Sequence, residues 1–264
     1  MAEYEADVGM VAASPEIPAA FEGVRLFGSD LLTDEDRRAL ADIAGAPRPL
    51  KAGVQFVAEG ARVDSVHLMI QGWAYRYKTT RDGARQITGL AVPGDMCNLD
   101  SYMLPRVTYG VRTLTEAVAV SLPRDRAQAL AAERPGIARA FTWFAIVENA
   151  ALTEWTLALG RQTARQRLAH LLCEVHARLG GAHGKGDSYE LPLTQEQMAD
   201  VLGLTGVHVN RTLGQLRAEG LIVVRGRQVT VLKVAELCQV GEFDDAYLHA
   251  SPSVEGAGRD ATAP

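Results

Sequence analysis

Cysteine is scarce in this chain, with three thiols in 264 residues, at positions 97, 173 and 238. So few and so widely spaced, they suit reduced thiols in a cytoplasmic protein. They also fall one short of the four thiolates that hold an iron–sulfur cluster ligated by cysteine alone. Long apolar runs are missing: nothing approaches the run of about 18 residues that a membrane-spanning helix needs. The first twenty residues, MAEYEADVGMVAASPEIPAA, are acidic and lack the apolar core of a secretory signal, so residues 1–24 read as a disordered tail. Histidines number six (67, 170, 176, 183, 208, 249) and form no close catalytic grouping. His67 stands without the second His and the Glu of a metal-binding cupin, and reads as a sheet histidine with a satisfied hydrogen bond. His170 and His176, six apart on one helix, do not share a face. With no glycine-rich phosphate loop and no nucleophile motif, the chain is expected to have no catalytic residues, no bound metal and no cofactor.

Apolar residues make up 47% of the chain, which is ordinary for a globular protein, and the length gives room for two domains. Net charge is −5, which on its face argues against nucleic acid. The distribution argues the other way. Residues 161–240 hold 10 Lys+Arg against 7 Asp+Glu, residues 1–160 hold 16 against 20, and residues 241–264 hold 1 against 5. Phosphates respond to local charge, because more distant charges are screened beyond about 10 Å at 0.1 M salt.

The positive segment contains Leu193–Lys233, LTQEQMADVLGLTGVHVNRTLGQLRAEGLIVVRGRQVTVLK. It reads as two short helices, a third helical turn and a β-hairpin. Thr194 with Gln197 makes a capping box at the start of the first helix, and Met198, Val201 and Leu202 give that helix an apolar stripe. Ala199 permits close approach of a crossing helix, Gly203 suits a sharp turn, and Thr205 can cap the second helix. Val209, Leu213 and Leu216 then face inward. Two β-rich runs, Leu221–Val224 and Val229–Leu232, flank a turn at Arg225–Gln228. This is the pattern of a winged helix-turn-helix, which lays its second helix in the DNA major groove.

Upstream, Thr33 and Asp36 cap a short helix. From Leu50 the texture changes, with glycines at 53, 60, 72, 83 and 94 between β-rich runs, and Arg81–Ala84 as a hairpin turn. Leu50–Leu122 reads as a β-roll within a sensor domain over residues 25–134. Pro135 starts a long helix, residues 135–160, with Ile137, Phe141, Phe144, Val147, Ala151 and Trp155 on or beside an apolar stripe. Two readings of that stripe stand: a two-stranded coiled coil that makes a homodimer, or packing against the chain's own β-roll. Gly160-Arg161-Gln162 interrupts the helix as a hinge, and Thr163 with Gln166 caps the next one. The winged helix-turn-helix domain occupies residues 161–240, with a flexible glycine-rich loop at 180–188. Residues 241–264 read as an acidic disordered tail.

The strings LTQEQMADVLGLTGVHVNRTL and LRAEGLIVVRGRQVTV resemble the DNA-binding end of the Crp/Fnr regulators, and VHVNRTL resembles a branch with no well-defined effector. The order of the β-rich runs resembles that family's cyclic-nucleotide-binding domain. On the outward face of the second helix stand Gly206, Val207, Asn210 and Arg211. Arg211 suits guanine, Asn210 adenine and Val207 a thymine methyl, and Arg211 falls where the family has its base-reading arginine. Gln195, Thr205, His208, Arg225 and Arg227 are phosphate candidates; the two wing arginines could equally be plain surface charge, and His208 a solvated histidine. The family's Arg and Glu just after the cap are Gly206 and Val207 here, which implies a different operator. The family's ribose and phosphate site departs further: Tyr109-Gly110 stands where an Arg-Ser pair should fall. Asp100 lies near a Glu position, and Arg106, Arg112 and Thr153 are further candidates for an effector pocket.

The expectation is an α+β protein: an N-terminal jelly-roll sensor like a cyclic-nucleotide-binding domain, a long dimerisation helix and a C-terminal winged helix-turn-helix. Its function is that of a homodimeric regulator on double-stranded DNA, working in the cytoplasm with RNA polymerase as partner, without a membrane, and with an unidentified small-molecule effector other than cyclic AMP. Three alternatives stand beside it: a sensor acting through protein contacts, a cyclic-nucleotide-responsive regulator with a degenerate pocket, and a cupin-like enzyme fused to a DNA-binding module.

Overall fold

A computed structural model describes residues 21, 24–179 and 188–248. Most of the tail expected at 1–24, most of the loop expected at 180–188 and the chain past Leu248 lie outside the described residues.

Helix α1 (Asp34–Ile43) begins at the foreseen capping box. The Thr33 hydroxyl accepts from the Asp36 amide at 3.1 Å, and the Asp36 carboxylate accepts from the Thr33 amide at 3.0 Å. Seven strands follow: β1 (Arg48–Leu50), β2 (Gln55–Val57), β3 (Ser65–Gln71), β4 (Ala74–Thr79), β5 (Arg85–Ala91), β6 (Gly110–Thr113) and β7 (Ala117–Pro123). They pair antiparallel in two sheets of order β1-β7-β3 and β2-β6-β4-β5. The five punctuating glycines all take positive φ. At Gly72 a side chain is excluded twice over, since a Cβ would also stand 2.2 Å from the Glu116 carbonyl oxygen.

Helix α2 (Arg124–Glu133) was not foreseen in the sequence. Its buried residues are two alanines, Ala127 and Ala131, too small to make a legible stripe. Helix α3 (Pro135–Arg161) starts on Pro135 and runs through Gly160, so the chain breaks one residue later than expected, at Gln162. Helix α4 (Ala164–Arg178) then opens on the Thr163–Gln166 capping box.

The apolar stripe of α3 is occupied inside one chain. Ile137, Phe141 and Phe144 join the cluster around α1, β3, β7 and α2, while Trp155 packs with α4 and its indole N–H donates to Glu174 at 2.6 Å. Val147 is buried as well, and Ala151 is half-buried beside a narrow internal cleft. Five of the six residues expected in a dimer seam are thus buried within one chain, and Ala151 is half-buried. The side of α3 that no element among the described residues covers carries Ile146, Asn149, Leu152, Thr153, Thr156 and Leu157, with Ile146 59% and Leu157 51% exposed.

The C-terminal unit contains β8 (Ser188–Glu190), α5 (Gln195–Leu202), α6 (Gly206–Ala218), β9 (Ile222–Arg225), β10 (Gln228–Val231) and α7 (Val234–Gly241). Its sheet has the order β8-β10-β9, a third strand beyond the expected hairpin. The further helical element stands after the wing, as α7. The acidic tail expected from residue 241 is corrected in its first part. Asp245–Leu248 forms a 3-10 turn, Leu248 is buried, and the Tyr247 hydroxyl donates to Glu174 at 2.9 Å. Phe21 and Val24 are buried too, so the N-terminal tail ends sooner than residue 24.

This unit rests on the roll through β5. The Arg85 guanidinium donates to Asp200 at 2.7 Å, Gln86 donates to the Val201 carbonyl at 3.1 Å, and Arg178 pairs with Asp95 and donates to the Leu90 carbonyl. Tyr75, Tyr77, Ile87 and Leu90 of the roll belong to the same apolar cluster as Leu172, Val201 and Leu216.

Candidate nucleic-acid interface

The helix-turn-helix is built as its sequence dictates. Thr194 and Gln197 satisfy two free amides at the start of α5. Gly203 ends the helix in the left-handed region (φ 60), where a Cβ would also press on Leu159 at 3.1 Å. Thr205 caps α6 by accepting from the His208 amide at 3.4 Å. Val209, Thr212, Leu213 and Leu216 bury one face of α6 and thereby fix which face looks out.

The outward face and its surroundings collect the candidates. Gln195, Thr205, Val207, His208, Asn210 and Arg211 are all exposed, Val207 at 78%, and Gly206 is half-exposed. Among the described residues Arg211 makes no hydrogen bond or ion pair, so its five N–H donors are free. Asn210 is engaged: its amide N–H donates to Gln195 at 2.7 Å, and the Gln195 amide N–H donates back at 2.8 Å. Nothing in the sequence signals this pair, because its members lie 15 residues apart on different helices. Arg225 and Arg227 stand exposed at the tip of the wing, where Gly226 turns the chain with φ 61; Arg227 has Glu190 at 4.0 Å. Gln195 and Thr205 stand at the N-terminal, positive ends of α5 and α6, a setting that favours phosphate oxygens.

The candidate effector residues do not form one site. Asp100 and Tyr109 meet, the tyrosine hydroxyl donating at 2.5 Å. Arg112 lies over the Tyr77 ring, 5.9 Å from its centroid. Arg106 is exposed and donates to the Gly60 carbonyl, and Thr153 is exposed on α3, bonded back to Asn149. The charged groups that meet at the roll are ones the sequence reading missed, Arg76 on β4 and Glu148 on α3, and both line the cleft beside Ala151. They form a largely buried ion pair, and Arg76 also stacks over Tyr109, 5.7 Å from the ring centroid. Two glycines make the room. A Cβ at Gly89 would stand 2.8 Å from the Arg76 guanidinium, and one at Gly110 would stand 2.5 Å from the Tyr77 ring. Burial pushes the Glu148 carboxyl above the usual carboxylate range, although Arg76 opposes this. Burial also raises the Tyr109 hydroxyl well above its usual range. A charged residue at the centre of the apolar run AYRY, and another inside the apolar helix IVENA, were the available signals.

His67 is a sheet histidine, as read: its ring nitrogen Nδ1 lies 3.2 Å from Asn98 Oδ1, and burial lowers its pKa. Among the described residues no helix is long and apolar enough to cross a membrane, and no group of three or more His, Cys, Asp or Glu could hold a metal ion.

Comparison with known proteins matches two segments of the chain. The cyclic nucleotide-binding domain family matches residues 47–134, and the Crp-like helix-turn-helix domain family matches residues 166–240. The transcriptional activator FnrL of Cereibacter sphaeroides is 32% identical over 208 residues, covering 76% of this chain and 83% of its own length. The transcriptional activatory protein AadR of Rhodopseudomonas palustris is 32% identical over 177 residues, 66% of this chain and 72% of its own. The structure of FixK2 from Bradyrhizobium japonicum superposes with a TM-score of 0.69 at 25% identity, over 75% of this chain and 97% of that one. With a relative at this identity and coverage, and with both of its halves matched, the chain belongs to the Crp/Fnr family of transcription regulators.

Proposed function

We propose that this regulator binds a pseudo-palindromic operator as a homodimer, with α6 of each protomer in the major groove, and that it does so without cyclic AMP. The observation that carries the DNA reading is Arg211, an exposed arginine with no hydrogen bond or ion pair among the described residues, on the outward face of a helix whose other face is fixed by Val209, Leu213 and Leu216. It suits a bidentate contact to guanine O6 and N7. Gly206 leaves the backbone open beside it, Val207 offers a methyl contact, and Gln195, Thr205, His208, Arg225 and Arg227 stand where they could meet phosphates. The dimer is supported by the exposed side of α3, where Ile146, Asn149, Thr153 and Thr156 follow at steps of three, four and three, the period of a coiled-coil seam, with Leu152 and Leu157 exposed beside them.

The sensor reading is supported by the engagement of the roll's arginines. A cyclic phosphate needs a fixed arginine fork. Here Arg76 gives its guanidinium to Glu148 and Tyr109, Arg112 lies over Tyr77, and Arg106 points away to Gly60. In this reading the chain has no catalytic chemistry, works in the cytoplasm on double-stranded DNA, and engages RNA polymerase there.

The test is selection from random duplexes, followed by salt titration on the winning sequence. The expected motif has two inverted half-sites about one helical turn, roughly 34 Å, apart. Arg227→Ala should weaken binding to all sequences alike and reduce the salt slope by about 0.9 per lost phosphate contact. A motif without inverted symmetry would defeat the dimer-on-operator reading and favour output through protein contacts. Calorimetric binding of cyclic AMP at micromolar concentration would defeat the sensor reading.

A further inference from the structure

Helices α4 and α7 approach each other closely, and a glycine sets the distance. Gly241 lies on the α4 backbone, where a Cβ would stand 2.5 Å from the His170 nitrogen. The His170 side chain reinforces the contact, with Nδ1 3.2 Å from the Gly241 carbonyl oxygen. Three residues onward along α4 and three back along α7, the same approach brings Cys173 and Cys238 together, with Sγ to Sγ 3.4 Å. The pairing follows from the register of two packed helices rather than from loose surface side chains. Both thiols are free, Cys173 buried and Cys238 half-buried.

We propose that Cys173 and Cys238 form a dithiol that a peroxide oxidises to an intrachain disulfide, a covalent staple within the DNA-binding unit. The two sulfurs differ in role because they differ in access. Cys238 can be reached from solvent. Its thiolate attacks one peroxide oxygen, the O–O bond breaks, and the departing hydroxide takes up a proton to become water, leaving a sulfenic acid. Cys173 then attacks the Cys238 sulfur. The S–O bond breaks, the S–S bond forms, and the leaving hydroxide carries off the Cys173 proton as a second water. Two thiols have lost two protons and two electrons, and one peroxide has become two waters.

Burial and the neighbouring thiol push Cys173 far above the usual thiol range, so it stays protonated and inert until its neighbour has been oxidised. Cys97 supplies the internal contrast: it is buried in the roll, pushed up to about 12, and has no second thiol paired with it. The bond would close a segment of 65 residues that contains α5, α6 and the wing, and so restrict the unfolded form of that unit.

The experiment uses the full-length protein, treated with hydrogen peroxide and mapped without reduction. We expect the tryptic peptides 168–178 and 234–259 joined and two hydrogens lighter, Cys97 still open to alkylation after denaturation, and a melting temperature raised by roughly 5 °C that dithiothreitol returns to its starting value. Cys173→Ser should instead accumulate a sulfenic acid on Cys238 that dimedone traps, and Cys238→Ser should leave Cys173 unreacted. The peptide map and its reversal need only the wild-type protein, so a poorly folding variant does not spoil the test. A folded, peroxide-treated protein with no joined peptide, a disulfide between two chains, or Cys97 reacting as fast as Cys238 would each overturn the proposal.

Discussion

Arg76 and Arg211 are the central arginines of the two halves of this molecule, and they are in opposite conditions. Arg76 is held inside the roll by Glu148 on one side and the Tyr109 ring on the other. Arg211 stands on the surface of α6, with no hydrogen bond or ion pair among the described residues. An arginine that already has its carboxylate and its aromatic face asks for nothing from outside. One without partners is ready for a planar acceptor such as a guanine edge. The difference teaches how differently one residue type is used in the two halves: the arginine of α6 is exposed, while the arginine of the roll is engaged by its own chain. Both halves keep their family fold, so the fold alone would not have separated them.

Breaking the closed arginine should have the largest effect. Glu148→Ala leaves a largely buried guanidinium without its carboxylate. Removal of one partner from such a pair typically costs 3–5 kcal/mol, and about 3 kcal/mol is expected here because Glu148 keeps 26% of its side chain exposed. For a chain of this length that lowers the melting temperature by roughly 6–12 °C. Arg211→Ala, on the open surface, should leave the melting temperature within about a degree. If Glu148→Ala melts with the wild type, the pair does not stabilise the roll.

The two sides of α3 give a second contrast. Ile146→Glu combined with Leu157→Glu places charge on the uncovered side and should yield a folded monomer, with operator affinity reduced on the order of 100-fold by loss of the second half-site. Phe144→Glu, on the covered side, should reduce the yield of folded protein instead, because it buries a charge without a partner. Sedimentation and circular dichroism of the two variants decide the matter. A folded dimer from the double variant would move the seam elsewhere.

Much of this was legible in the chain before its structure. The three capping boxes, the glycines of the roll, Pro135 at the start of α3 and the helix-turn-helix with its wing are local patterns, set by residues three or four apart or by single backbone conformations. What failed was what depends on partners far along the chain. An apolar stripe says that a helix face is covered but not by what, so the residues of α3 that pack on the roll read equally well as a seam. Ala127 and Ala131 bury well and signal poorly. The Arg76–Glu148 pair joins residues 72 apart, and nothing near either one announces the other. Tyr109-Gly110 was visible as a departure from the family, but its reason, the room Gly110 gives the Tyr77 ring, appears only in three dimensions.

On the open surface, Arg211→Ala should weaken cognate binding by about 1–3 kcal/mol and flatten the preference at one base pair of each half-site, while leaving non-specific affinity nearly unchanged. Competition binding with every base substituted in turn measures both. An unchanged motif would show that this arginine, free as it is, does not read a base.

The smallest predicted effect concerns the one candidate on that surface that is not free. Asn210 and Gln195 bond reciprocally, and in such a pair each amide uses its carbonyl oxygen and the N–H on the same edge. Adenine is read through that same edge, with the oxygen accepting from N6 and the N–H donating to N7. The closed pair therefore masks Asn210 from a bidentate contact and leaves it one outward N–H and one spare lone pair. Opening it on DNA gives up two exposed neutral bonds, each worth at most about 1 kcal/mol net and less in water. Gln195→Ala should remove that competition, so the preference for adenine opposite Asn210 rises a few-fold. The same change should lower affinity for all sequences slightly if the Gln195 amide also meets a phosphate. The two consequences separate cleanly, one in the ratio between bases and the other in the average. A preference that falls on Gln195→Ala would mean that Gln195 props Asn210 against its base rather than hiding it, and Asn210 would then join Arg211 among the side chains that read the operator.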